Sequence, residues 1–503
     1  MALAPEFDAF SRTHEAGEAQ VVYTRLAADL DTPVSLMLKL NGAGANAFLL
    51  ESVTGGERRG RYSMIGMNPD VIWECRGTTS RVNRNARFDE TAFEDCAEDP
   101  LTALRGLIAE SQMTLPADLP GAAAGLFGFL GYDMIRLVER LPDVNPDPLG
   151  LPDAVMIRPS VVAVLDGVKG DVILVSPVWA NSGLSAKAAY AQAAERVMDA
   201  QRALERPVTV ESRQLSDPAP VAKPVSNFTH DGYLAAVEKA KDYIRAGDIF
   251  QVVPAQRWTQ EFREPPFALY RSLRRTNPSP YMFYFNFGGY QIVGASPEIL
   301  VKVENKQVTI RPIAGTRPRG ATPEEDQANE ADLLADKKEL AEHLMLLDLG
   351  RNDTAKVTKV GTMHPTEQFV VEYYSHVMHI VSNVVGELAD DQDALSAFFA
   401  GMPAGTVSGA PKVRAMEIID ELEPEKRGVY GGGCGYFSAN GDMDMCIALR
   451  TAVLKEQKLY IQAGGGVVYD SDPEMEYQET IHKSNAIRKA AAEAAMFTGG
   501  GNG

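Results

Sequence analysis

The chain has 503 residues, enough for two or three domains, and its 45% hydrophobic and 23% charged residues are ordinary for a soluble globular protein. A formal net charge of −19 argues against nucleic acid or an anionic membrane as the main partner. It does not exclude an anionic substrate, because a bound metal or local Arg and Lys can reverse the local field.

Residues 1–10, MALAPEFDAF, lack a basic region followed by an apolar core, so no signal peptide is expected, and no apolar run is long enough to span a bilayer. Cys75, Cys96, Cys434 and Cys446 form no CxxC pair, which suits a reducing compartment, the cytoplasm, and packing roles. Residues 1–212 alternate strands with a few helices. Residues 47–53 (AFLLESV) and 61–67 (RYSMIGM) are expected to pair across a Gly-containing loop, with 71–76 a third strand. Residues 101–110 form an amphipathic helix, 125–131 (GLFGFLG) an apolar strand, 160–165 and 171–176 a hairpin, and 185–204 an alanine-rich helix. Residues 213–226 hold three prolines and no clear period, which marks a linker.

Thr229 caps a helix running to about Ala246, and a strand over 249–256 follows. Residues 281–313 read as a meander of short strands turning at Gly288-Gly289 and Asn305-Lys306. After the glycines 431–433 come strands over 434–438, 445–454 and 458–462. Tight turns imply antiparallel sheets and exclude a doubly wound nucleotide-binding fold. The expected class is α+β, a large α/β sandwich of mostly antiparallel sheets flanked by helices. Its second domain spans 227–498, and 499–503 is a disordered tail.

Two stretches carry chemistry. Residues 338–353 (KELAEHLMLLDLGRND) form a helix, with Leu333, Leu340, Leu344 and Leu347 at helical spacing and Glu339 and Glu342 adjacent on a flank that also carries Leu346. Alone, this pair reads equally well as an exposed acidic face partnered by Lys337 or Lys338. Residues 462–483 (QAGGGVVYDSDPEMEYQETIHK) hold three glycines after a strand, then Asp472 and Pro473 opening a helix that presents Glu476, Glu479 and Lys483 on one face. Four carboxylates from two helices suit a hard divalent cation, Mg²⁺, which uses one or two protein carboxylates and leaves room for an anionic substrate. The glycine runs 431–433 and 464–466 fit neither GxGxxG nor a Walker pattern, and each alone is a turn or bulge as readily as an anion cradle. His379 lies among apolar residues, and Arg450 ends an alternating strand; separately, neither specifies a function.

Together these residues carry a resemblance. From about Thr229 to Ala490 the chain resembles the chorismate-utilising enzymes, through SPEIL (296–300), PIAGTRPRG (312–320), the 338–353 stretch, PAGTVSGAPK (403–412), VYGGGCGYF (429–437), DMCIALRT (444–451) and the last helix. Within that family it is similar to the anthranilate-forming branch, which serves tryptophan synthesis. Residues 1–212 resemble that branch's regulatory region, with LLES at 49–52, while NPSPYMFY stands at 277–284. The resemblance implies that Glu342 and Glu479 hold Mg²⁺, with Glu339 and Glu476 close behind. It implies that Arg450 and Tyr430 hold the enolpyruvyl group, and that Gly464, Gly465 and Gly466 with Lys483 hold carboxylate oxygen. Gly315, Thr316 and Thr406 would line the ring. Glu298 would protonate the departing 4-hydroxyl, and His379 would assist the loss of pyruvate. Ser52, Pro280, Tyr281 and Met282 would bind tryptophan as a feedback inhibitor. Two departures stand out: GGG replaces the usual GAG at 464–466, and HKSNA replaces NKARA, with Lys483 kept.

Rival activities are isochorismate or salicylate synthesis and aminodeoxychorismate synthesis. Water-using relatives place a Lys where Gln251 stands, and aminodeoxychorismate synthases read PIKGT where this chain has Ala314. A catalytically silent regulatory subunit is a further alternative. The chain has no Cys in a nucleophile elbow, so a separate glutamine amidotransferase small subunit is the expected source of ammonia.

Overall fold

Two long strands that change neighbours organise the molecule. The computed structural model describes residues 3–40, 44–52, 60–180, 183–208, 223–374 and 377–498. Within it, Tyr62–Arg76 pairs antiparallel with Ala154–Asp166, with a register shift between Pro69 and Val71. Such an irregularity bends a strand and tightens its twist, and a proline cannot donate to the ladder. The two halves of each strand therefore join different sheets. Residues 63–66 pair with Ala47–Glu51, but 72–76 pair with Thr79–Asn83. In the partner strand, 162–166 pair with Asp171–Val178, but 154–157 pair with Gly125–Leu130. The strands expected at 61–67 and 71–76 are thus one bent strand.

One sheet runs from Gln20–Ala27 through the long strands and Ala47–Glu51 to Tyr281–Asn286, Tyr290–Ser296, Thr451–Lys455, Lys458–Gly464 and Ala255–Glu261. The other runs through Gly125–Leu130, Gly433–Ser438, Met443–Ile447, Ile299–Glu304 and Gln307–Ile310 to Val377–Glu387. All these pairings are antiparallel, as the turns implied. Residues 281–313 are not a single meander. Tyr290–Ser296 pairs with Thr451–Lys455 and Ile299–Glu304 with Met443–Ile447, so the chain crosses between sheets at Pro297-Glu298. The expected strand 445–454 is likewise two strands, broken at Arg450, whose φ is +47°. The strand expected at 249–256 is also two, Gln251–Val252 and Ala255–Glu261, separated by Val253 and Pro254.

Aromatic side chains from both sheets fill one apolar core: Phe48 stacks on Phe127 with ring centroids 4.4 Å apart, and Phe129 lies against Phe287. Ala47–Glu51 pairs with Tyr281–Asn286, and Gly125–Leu130 with Gly433–Ser438, so in each sheet the strands of residues 1–212 join those of 227–498 edge to edge. Residues 213–222 of the expected linker and the 499–503 tail lie outside the described residues; Val225–Ser226 adds a short strand beside Ala255–Glu261. No described helix is long and apolar enough to cross a membrane.

Helices cover the outer surfaces. Pro266–Thr276 and Pro473–Glu493 share a core with Ala452, Leu459 and Ile461 through Leu269, Leu273, Ile487 and Ala490. Lys337–Ala355 packs on Ile313–Pro318 and Val377–Glu387. Its buried stripe is His343, Leu346, Leu347 and Gly350; of the leucine stripe expected, Leu347 lies on it and Leu340 is partly buried. Leu344 is exposed, and Leu333 lies on the preceding helix Pro323–Ala335, because Asp336 ends that helix and caps the next by accepting N–H bonds from Lys338 and Glu339.

Candidate active site

The sheet crossing places Glu298 in the interior. Its side chain is buried, and Oε2 accepts a hydrogen bond from Thr406 Oγ1 at 3.2 Å. Burial pushes its carboxyl up to about 8, against the opposing pull of the Thr406 hydroxyl and the Arg450 and Lys483 cations. Thr406 sits in the short 3-10 turn Gly405–Val407 that follows PAG.

Arg450 links Glu298 to the next group. Its positive charge acts on both Glu298 and His379, and the Tyr374 ring meets His379 edge-on at 5.4 Å. His379 Nδ1 lies 3.0 Å from the Gly315 carbonyl and 3.1 Å from Thr316 Oγ1. An Nδ1–H donated to that carbonyl leaves Nε2 as the basic nitrogen. Burial lowers the imidazole to about 4, so it is neutral at pH 7. Gly315 is left-handed, φ +65°, at a bulge where Ile313–Pro318 shifts register against Val377–Glu387. A Cβ there would lie 3.3 Å from Glu339 Oε2, so the glycine lets this strand approach the acidic helix.

Glu339 Oε1 is 3.6 Å from Arg317 Nη1, and burial, then the nearby Glu342, raise its pKa. Glu342 Oε1 accepts from Gln251 Nε2 at 3.2 Å, while Gln251 Oε1 is buried with no protein partner among the described residues. Gly466 would place a Cβ 2.8 Å from that same Nε2. Gly465 would place one 3.1 Å from Glu476 Oε2, and Gly464 one 3.2 Å from the Tyr430 hydroxyl. Each glycine therefore admits a different side chain. Lys483 Nζ bridges Glu479 Oε1 at 2.7 Å and the Gly464 carbonyl at 3.0 Å, and its charge reaches Glu298. These neighbours thus form a closed circuit from Glu298 through Arg450, His379, Gly315, Glu339, Glu342, Gln251 and the three glycines to Lys483 and back. They are joined partly by direct contact and, from Arg450 to Glu298 and His379, from Lys483 to Glu298 and within the Glu339–Glu342 pair, by charge alone. The Gly465 N–H is committed to the Pro254 carbonyl at 3.2 Å, so the glycine run does not present three free donors.

The four glutamates do not converge on one point: among the described residues no three His, Cys, Asp or Glu side chains form a metal-holding group. Each pair has local counter-charges instead, Arg317 beside Glu339 and Lys483 beside Glu479. Burial raises Glu476 to about 7; burial opposes ionisation of Glu479 too, but Lys483 holds it below the usual range. Glu476 Oε1 accepts from Ser471 Oγ at 2.6 Å, while Oε2 is buried and unpartnered. An all-oxygen donor set with an orphaned buried carboxylate oxygen fits a hard cation that completes its shell with water or substrate.

Ser52, Pro280, Tyr281 and Met282 gather elsewhere, around a cavity of about 450 Å³ that no residue of the circuit lines. The pairing of Met282 with Glu51 brings Ser52 and Pro280–Met282 together. Ser52 Oγ is buried without a partner, and Glu51 is clamped by Arg274 Nε at 2.6 Å and by the Tyr270 hydroxyl. Lys302 and Asp444 add charge to the wall, and burial raises Asp444 to about 6.

Sequence reasoning missed Tyr374, Asp444, and the buried pair Glu423 and Arg427. The last two are four apart on the chain, a spacing that reads as a surface ion pair.

The family described as "chorismate binding enzyme" matches residues 47–489. The chain is 72% identical over 491 residues to anthranilate synthase component 1 of Cereibacter sphaeroides, covering 98% of each chain. It is 49% identical over 482 residues to the protein of that name from Pseudomonas aeruginosa, covering 93% of this chain and 94% of the other. Among solved structures it is similar to anthranilate synthase component I from Streptococcus pneumoniae TIGR4, at 38% identity and a TM-score of 0.76 over 92% of this chain and 99% of that one.

Glu298 is expected to be a neutral acid below about pH 8 and a carboxylate above it. Infrared titration checks this: the carboxylic C=O band lost around that pH in the wild type should be missing in Glu298→Gln, while the band assigned to Glu476, near 7, stays.

Proposed function

The chain belongs to the chorismate-binding enzyme family, and within it we propose that it converts chorismate and ammonia to anthranilate and pyruvate, a carbon–oxygen lyase of tryptophan synthesis. The observation that carries this choice is Gln251. Its side chain lies inside the circuit, against Glu342 and Gly466, where a water-activating relative needs a base. An amide cannot take a proton from water, but its orphaned Oε1 can accept an N–H from ammonia. Ala314 likewise offers no nucleophilic amine, which disfavours aminodeoxychorismate synthesis. A silent regulatory subunit is disfavoured by an acid held protonated near neutral pH at the centre of the circuit.

Glu342 and Glu479 would hold Mg²⁺, with Glu339 and Glu476 behind them. When bound, Mg²⁺ supplies a Lewis acid at the ring carboxylate. Arg450 and Tyr430 bind the enolpyruvyl group, and the glycine run with Lys483 holds carboxylate oxygen, the Gly465 N–H staying with the Pro254 carbonyl. Gly315, Thr316 and Thr406 line the ring. Thr406 occupies Glu298 Oε2, so the acidic proton sits on the other oxygen. Glu298 gives that proton to the 4-hydroxyl; the C4–O bond breaks, water leaves, the ring double bonds shift, and ammonia forms the C2–N bond and loses a proton. Breaking the C3–O bond then releases the side chain as enolpyruvate, which takes up a proton at its methylene carbon to become pyruvate, while the C2 proton is lost to aromatise the ring. Neutral His379, basic at Nε2, assists that second step.

Ammonia is expected from a separate glutamine amidotransferase subunit, in keeping with the word "component" in the relatives' names. In support, Cys75, Cys434 and Cys446 are buried with their thiols pushed up by burial, Cys75 to about 12, unlike nucleophilic thiols. We assign the second cavity to tryptophan as a feedback inhibitor. Ser52 Oγ offers a free hydroxyl, Asp444 a partner for an ammonium group, and Met282 and Tyr281 apolar wall for an indole.

Glu342→Gln should fold normally and lose Mg²⁺-supported turnover by about 100-fold or more; steady-state assays showing near-normal activity would remove Glu342 from the metal site. Ser52→Arg should fill the second cavity and abolish tryptophan inhibition while keeping activity; calorimetry showing tryptophan bound equally by both proteins would place the inhibitor elsewhere.

A further inference from the structure

Arg427 has no part in the roles above, yet its side chain is among the most buried charges of the chain. Nη1 donates to the Val407 carbonyl at 2.5 Å and Nη2 to the Val253 carbonyl at 2.6 Å. Nε and Nη2 also bind the Glu423 carboxylate, whose Oε1 accepts the Ala255 N–H at 2.8 Å. The rings of Tyr132 and Tyr430 flank the guanidinium, with centroids 4.7 and 5.5 Å away.

Three of these contacts end at or within two residues of a wall of the site. Val407 follows Thr406, the donor to Glu298, in the same 3-10 turn. Val253 joins Gln251–Val252 to Pro254, whose carbonyl fixes the Gly465 N–H. Tyr430 faces Gly464. We propose that Arg427 is a positioning residue: one planar guanidinium holds Thr406, the wall from Gln251 to Gly465, and Tyr430 in register around the substrate. The proposal rests on the reading of Glu298 as the general acid.

A stabilising ion pair alone does not account for this arrangement. Burying two charges costs about as much as their attraction returns, and apolar residues of similar volume often replace such pairs without loss of stability. What apolar residues cannot reproduce is a fork that reaches two carbonyls on separate segments while seated between two rings; a lysine cannot either.

Two variants test it in the full chain with chorismate, Mg²⁺ and ammonium. Arg427→Lys keeps the charge but not the fork. Glu423→Gln combined with Arg427→Met keeps an acceptor for Ala255 N–H and leaves no unpaired charge, so it should unfold close to the wild-type temperature. Both should lose about 100-fold in kcat/KM, the scale of a misplaced reacting group. The readout that separates positioning from general damage is the alkaline limb of kcat/KM. The charged groups facing Glu298 are Arg450 and Lys483, with Asp353, paired to Lys412, lining a small cavity beside it. None is changed, so the limb should move only through Thr406. Losing the Thr406 hydrogen bond raises the carboxyl further, so the limb should move to higher pH, as in Thr406→Val, and adding Thr406→Val to either variant should move it no more. Rates within threefold of wild type, or a loss with the limb unmoved, would overturn the proposal. Glu298→Gln keeps the two readings apart: a limb that survives in that variant removes Glu298 as the acid, while the non-additivity of rate losses between Arg427 and Thr406 variants still decides the role of Arg427.

Discussion

Glu298 sits where the chain passes from one sheet to the other, and the interior it enters there keeps its carboxyl protonated near neutral pH. A rise from 4.5 to about 8 corresponds to roughly 5 kcal/mol against ionisation, more than a single hydrogen bond can offset. Arg450 and Lys483 face it and limit the rise, so the group stays an acid that can still give its proton away. The crossing depends on Pro297, which cannot continue the ladder of Tyr290–Ser296, and on the bent strands that let two sheets share one interior.

Around this acid the charges are arranged in local pairs, which explains how a chain of net charge −19 can receive a doubly anionic substrate. Arg450 and Lys483 lie on the circuit, and Arg317 sits beside it at Glu339. The glycines at 315 and 464–466 matter less for flexibility than for room: each lets a charged or polar side chain approach the backbone more closely than a Cβ would allow. The second cavity is separate, yet Tyr281–Asn286 on its wall pairs with Tyr290–Ser296, which leads directly into Glu298. This continuity is the route by which the proposed inhibitor would act on the acid, provided it prefers one arrangement of these strands.

Local signals in the sequence were reliable. The caps Thr229 and Asp472 open the helices as expected, because capping involves residues only a few positions apart. The acidic pairs and glycine run were visible; the structure sets Glu339, Glu342 and the glycines on the circuit, with Glu476 against Gly465 and Glu479 against Lys483. The strand over 249–256 failed because Pro254 removes a ladder donor, and the meander failed because nothing near Pro297 says which sheet its neighbours will join. Convergence of the four carboxylates was overstated, since spacing shows which side chains share a helix face and not which cations will separate them. Arg427 escaped notice for a similar reason: its partners at Val253 and Val407 are distant in sequence.

In the proposed reaction an acid held neutral by burial, Glu298, works in a site where an amide, Gln251, stands against Glu342 in place of a base, and this directs ammonia to chorismate. The most direct measurement is product analysis by mass spectrometry after incubating the purified chain with chorismate, Mg²⁺ and ¹⁵N-labelled ammonium, and in parallel with glutamine. The account predicts ¹⁵N-anthranilate and pyruvate from ammonium and no anthranilate from glutamine. Isochorismate, salicylate or aminodeoxychorismate as the main product would contradict it, as would unchanged chorismate.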